Sequence, residues 1–183
     1  MKRFLLISSV IALSAAISIS VYHNVSNTSA VKSLDRFSGM VRSGQLEDVR
    51  LSIYYMSPTI FTLVPMDVDG LIRGYDYHAV IDSDGLLENI EYLKMFNNTT
   101  IMPVNEGYVN ARLYYIFETS NGSKIFDVVM RSPFDNVFIN GKEFVMNGVF
   151  FDAIVPFLPE AIVNQWEQLK HHGLYGVIQE NIP

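Results

Sequence analysis

The chain has 183 residues with 13 basic and 19 acidic side chains, a formal charge of −6, 12 Phe, 10 Tyr and no Cys. That length and apolar content suit one domain with one core. The missing thiols exclude disulfides, cysteine nucleophiles, iron–sulfur clusters and thiolate zinc sites. An acidic chain without a basic run also lacks the footprint of a nucleic-acid binder.

Lys2 and Arg3 lead into an apolar, serine-spiked run from Phe4 to Val21, with small residues at Ser18 and Ser20 ahead of a polar stretch. This is the layout of an export signal. The run is longer than the usual secretory core of about 7–15 residues and shorter than the roughly 20 that span a bilayer. Ser8, Ser9, Ser14, Ser18 and Ser20 lower its hydrophobicity and favour cleavage before Val21. A retained N-terminal anchor is the alternative, and only then is a membrane a partner. Lipid attachment through an N-terminal Cys is excluded. Loss of Lys2 and Arg3 leaves 11 basic and 19 acidic groups, a charge of −8.

Residues 22–30 read as a polar tether. Val31, Leu34, Phe37 and Val41 then share a helical face, with Ser29 as a possible cap and Gly44 as a stop. Leu46 to Met56 alternates as a strand, and Ser57-Pro58 breaks it before a second β-rich run, Thr59 to Val64. Those two runs predict a hairpin. Val68, Leu71, Ile72 and Tyr75 return to helical spacing behind Asp67, as do Leu86, Ile90 and Leu93 behind Asp82. Tyr77 to Ile81 between them fits a short strand.

Tyr108 to Thr119 alternates with Val109, Ala111, Leu113, Tyr115 and Phe117 on one face, turns at Ser120-Asn121-Gly122-Ser123, and returns over Lys124 to Arg131. A further hairpin joins Asn136–Asn140 to Lys142–Met146 around Asn140-Gly141. A helix closes the chain from Pro159 to His172, with Gly173 as its stop. The order predicts an α+β domain: a mainly antiparallel sheet with two short central helices and a C-terminal helix, preceded by an apolar N-terminal export helix. Its divisions are 1–21 for the signal or anchor, 22–30 for the tether and 31–183 for a single domain.

Candidate chemistry is sparse. Asp82-Ser83-Asp84-Gly85 with Leu87 and Glu91 matches part of a twelve-residue calcium loop, but its first ligand position is Val80. Asp67-Val68-Asp69-Gly70 fails in the same way at Pro65. Helix capping explains both patterns. Asp76 and His78 share a face if extended, as an acid/base pair requires. His171 and His172 fit a helix end beside its carbonyls. No nucleophile elbow, phosphate loop, dinucleotide glycine triplet or His-Glu-x-x-His motif is present. Asn24, Asn27, Asn97, Asn98 and Asn121 open Asn-x-Ser/Thr triplets, whose residue types also cluster in turns.

Tyr54-Tyr55 and Tyr114-Tyr115 put a tyrosine on each face of their strands. Tyr108, Arg112 and Tyr114 therefore make a candidate binding patch on the face away from the core, open to solvent or under a helix. These features predict an exported, non-enzymatic domain that binds a protein or other ligand, with no cofactor, no metal and no nucleic acid. The alternatives are a small extracytoplasmic hydrolase with a dispersed site including His78, and a membrane-anchored structural or regulatory envelope protein.

Overall fold

The computed structural model describes residues 29–60, 62–104, 107, 109–133, 135–145 and 147–180, with side chains described to Lys170 apart from Asn98. The export segment, its cleavage point, Asn24, Asn27 and Tyr108 lie outside the described residues, as do the side chains of His171 and His172.

Helix α1 covers residues 29–43 and buries Ala30, Leu34, Phe37 and Val41, a stripe at helical spacing. Val31 instead faces solvent. Gly44 ends the helix in the left-handed region, at φ 69°, where a side chain is strained. Strand β1 (Val49–Tyr55) follows. Next come α2 (Val68–Gly74), β2 (Tyr77–Ile81), α3 (Ser83–Glu88), α4 (Ile90–Leu93) and a 3-10 turn at Lys94–Asn98. Asp67 and Asp82 cap α2 and α3, their carboxylates accepting from the Gly70 and Gly85 amides at 2.7 and 3.0 Å.

Strands β3 (Leu113–Thr119) and β4 (Lys124–Met130) form the long hairpin. Strands β5 (Val137–Ile139) and β6 (Lys142–Phe144) form the short one. Asn140 and Gly141 both have positive φ, 50° and 74°, as the tight turn between β5 and β6 requires. Helix α5 (Val149–Asp152), a 3-10 turn at Val155–Phe157 and helix α6 (Glu160–Glu180) complete the chain.

The six strands form one antiparallel sheet in the order β2-β1-β3-β4-β5-β6. Period-2 alternation gives it two unlike faces. Val49, Leu51, Ile53 and Tyr55 of β1 join Leu113, Tyr115 and Phe117 of β3 and Phe126, Val128 and Met130 of β4 in the main core. The helices close that core. Phe37 of α1 packs against Phe117 and Phe126, with centroids 4.3 and 5.1 Å apart. Trp166 of α6 stacks on Phe151 of α5 at 5.0 Å. A smaller cluster of Met56, Leu71, Ala111, Tyr114, Val129 and Phe138 lies on the other face.

The α+β architecture, the two later hairpins, the central helices and both caps match the sequence expectation. Three details differ. The described residues of Thr59 to Val64 add no strand, because β1 already has β2 on one side and β3 on the other. The strand expected from Tyr108 begins at Leu113, because Arg112 donates its amide to the Met130 carbonyl on one side while its carbonyl accepts from the Met56 amide on the other, a split that a regular strand residue does not make. Ala111 thereby joins the smaller cluster instead of the main core. Helix α6 runs through Gly173 to Glu180, and no proline interrupts that stretch. An interior glycine costs only about 1 kcal/mol.

Candidate docking surface at the crossover from β1 to β2

The outer face of the sheet is partly roofed by the crossover, residues 56–76. Two anchors hold it. Arg112 lies beneath it, only 5% exposed, and donates to Met56 Sδ at 3.3 Å and Thr62 Oγ1 at 3.1 Å. Farther along, Asn110 Oδ1 accepts from the Met66 amide at 3.0 Å, and Met66 returns its carbonyl to the Ala111 amide at 2.7 Å. Leu71 of α2 is fully buried beneath the same roof.

This arrangement corrects the surface expected from the sequence. Arg112 and Tyr114 do sit off the core face, but the crossover buries them, Tyr114 to 6% exposure. Tyr108 lies outside the described residues. Burial, then the charge of Arg131, lowers the pKa of the Arg112 guanidinium, and Asp76 partly opposes this. A guanidinium stays protonated through such a change. The Tyr114 hydroxyl is held above its usual range, mainly by burial and then by Asp127, whose Oδ2 it approaches at 3.4 Å. Both residues mount the crossover from below.

What faces outward is the crossover itself. Of eleven large hydrophobic residues exposed among the described residues, six lie between Ile60 and Val80: Ile60, Leu63, Val64, Ile72, Tyr75 and Val80. Leu63 is fully exposed and Val64 is 70% exposed. No charged residue occurs from Ser57 to Met66. Beside this tip runs an aromatic shelf. His78 stacks on Tyr54 with centroids 4.4 Å apart and planes 20° apart, Tyr75 stands 5.3 Å from His78, and Tyr54 lies 6.0 Å from Tyr114. The shelf grades from buried Tyr114 to exposed Tyr75 and His78. Amphipathic rings on a fixed backbone suit recognition, since little side-chain freedom is lost on contact.

The same region offers poor acid/base chemistry. The Asp76 carboxylate accepts from the Ser57 amide at 2.8 Å, and no hydrogen bond joins it to His78. The Tyr55 hydroxyl donates to Gln165 Oε1 at 2.6 Å, Gln165 Nε2 donates to Ser57 Oγ at 2.6 Å, and Ser57 Oγ meets Thr59 Oγ1 at 2.8 Å. This chain of contacts ties α6 to the end of β1 and contains no base. Burial, reinforced by Asp76, raises the Tyr55 pKa, so its hydroxyl keeps its proton. The residues of the partial calcium loops serve as helix starts, and no group of three or more potential metal ligands occurs among the described residues.

A small polar cleft of about 130 Å³ lies near the opposite edge of the sheet, lined by Gly107, Arg131, Asp135, Asn136, Phe138 and Glu143. Its polar groups engage one another. Glu143 accepts from the Gly107 amide at 2.5 Å and from Asn136 Nδ2 at 3.0 Å, and Arg131 pairs with Asp135 at 3.0 Å. Glu143 thus fastens the loop before β3 to β6.

No family model, curated protein or solved structure matches this chain. Sequence reasoning missed the crossover surface by treating Thr59–Val64 as paired β structure. The available signal was the uncharged run between Arg50 and Asp67, sixteen residues of which β1 accounts only for the first part.

Proposed function

We propose that the chain is an exported, non-enzymatic domain that binds a protein or other ligand through the crossover between β1 and β2. One observation carries the reading: an uncharged tip, Leu63-Val64, held outward on a segment anchored by Arg112 through the Thr62 hydroxyl and by Asn110 through the Met66 amide. Apolar side chains on a folded surface cost solubility, and their concentration in one mounted segment marks an interaction site. The shelf of Tyr54, Tyr75 and His78 supplies adjoining aromatic contact. Export rests on the N-terminal segment: a cationic start, an apolar middle and small residues before Val21.

The test is a pull-down from native envelope and medium, comparing the native chain with a double variant, Leu63→Asp and Val64→Asp. These side chains are exposed, so the fold should change in stability by no more than about 0.5 kcal/mol. A reproducible partner retained by the native chain and lost from the double variant supports the reading. No reproducible partner, or equal recovery on both, overturns it. Mass measurement of the mature chain checks export separately. A new terminus at Val21 supports release, and an intact Met1 in the membrane fraction supports an anchored protein.

A further inference from the structure

Strand β2 is an edge strand, paired among the described residues with β1 alone. Its register places Tyr77, Ala79 and Ile81 opposite Tyr55, Ile53 and Leu51. Even-numbered residues of β1 turn their backbone groups toward β3, as the bond from the Met56 amide to the Arg112 carbonyl shows. Odd-numbered ones turn toward β2, and the Tyr55 carbonyl accepts there from the Asp76 amide at 2.8 Å. Alternation along an antiparallel ladder then points the N–H and C=O of His78 and Val80 out of the sheet. No backbone bond beyond those to β1 reaches β2 among the described residues. Native edges are commonly blunted by Lys, Pro or bulges. Tyr-His-Ala-Val-Ile contains neither Lys nor Pro, and His78 and Val80 are both exposed, Val80 to 58%.

His78 and Val80 lie on the outer face of this edge, and Asp76 and Asp82 flank the strand at its two ends, each with one carboxylate oxygen taken by a backbone amide, of Ser57 and Gly85, and its charge retained. We infer that β2 accepts an extended peptide segment of a partner protein as a seventh strand, with apolar or aromatic residues opposite Val80 and His78 and a basic residue beside each of Asp76 and Asp82. Main-chain bonds supply the affinity, and alternate side chains supply the choice of sequence. Oppositely charged residues across a strand pair attract, and like charges repel. A second copy of this chain is a poor occupant, because a two-fold pairing centred on Ala79 sets Asp76 against Asp82 at both ends. The inference rests on the binding reading above and names the partner's form.

The experiment uses the mature chain and a synthetic peptide, Lys-Thr-Val-Thr-Tyr-Thr-Lys, with amide hydrogen exchange read residue by residue. With free peptide at about ten times its dissociation constant, the His78 and Val80 amides should exchange about tenfold more slowly. Replacing both peptide lysines by glutamate should weaken binding about tenfold. Val80→Pro removes an outward N–H while leaving the bonds to β1, so it should abolish binding. Methylating the peptide amides that face β2 should do the same without altering the protein, whereas methylating the alternate amides should not. Protection elsewhere, no protection at millimolar peptide, or equal binding of the glutamate peptide overturns the inference. So does protection of His78 and Val80 that grows with protein concentration alone, which would identify a second copy. If the peptide fails while the native partner still depends on Leu63 and Val64, only this inference falls.

Discussion

Tyr115 is fully buried, and its hydroxyl donates to the Phe150 carbonyl at 2.8 Å. Tyr115→Phe leaves that acceptor without its donor and should cost about 1–2 kcal/mol, measured by urea unfolding. Burial raises the pKa of Tyr55, Tyr114 and Tyr115 together. Each native hydroxyl holds its proton where the unfolded chain, titrating near about 10, releases it. Their contribution is therefore complete below about pH 10 and is lost as pH rises beyond it. Unfolding free energy measured from pH 8 to 11.5 should fall at the alkaline end, and Tyr115→Phe should flatten the fall. A constant value across that range contradicts these assignments. At this scale the pleat parity of the tyrosine pairs was legible, since alternation alone separates Tyr54 from Tyr55 and Tyr114 from Tyr115. The burial of Arg112 was not, because it depends on Met56 and Thr62, at least 50 positions away.

Local chemistry specifies most elements of this chain. Asp67 and Asp82 each satisfy an amide that a helix start leaves free, so Asp67→Ala and Asp82→Ala should each cost about 1 kcal/mol. Calcium or a chelator should leave the melting temperature unchanged, because no group of three potential ligands forms around either carboxylate among the described residues. A rise in melting temperature with calcium contradicts the capping account. The hairpin at Asn140-Gly141 and the turn at Gly122 were legible because both demand positive φ. The partners of β1 were not, because β-propensity marks Thr59 to Val64 as strand-like without saying whether a neighbouring edge is free. Asn121 belongs to the same class of local effect. Its Oδ1 accepts from Thr119 Oγ1 and the Ser123 amide at 2.6 and 3.0 Å, which accounts for its place in the turn.

Across the whole molecule, α1 and α3 to α6 cover one sheet face, and the crossover, which carries α2, partly roofs the other. Trp166 joins α6 to this body, stacked on Phe151 and edge-on to Tyr55. Trp166→Ala should cost about 3–5 kcal/mol by opening a cavity. Trp166→Phe should cost much less, since the indole Nε1 has no hydrogen-bond partner to lose. Thermal unfolding of the two variants separates transfer and cavity effects from polar ones. The α+β class was legible from the sequence of periodicities, whereas the surface was not, because outward presentation depends on anchors distant in the chain. The central claim is that the Leu63-Val64 tip meets a partner. Its most direct test is photocrosslinking in the native host, with benzoylphenylalanine placed at Leu63 or, for comparison, at exposed Met102 near the other end of the sheet. A defined crosslink from position 63, absent from 102 and suppressed by excess unlabelled chain, is the predicted result. Equal crosslinking from both positions, or none from 63, contradicts it.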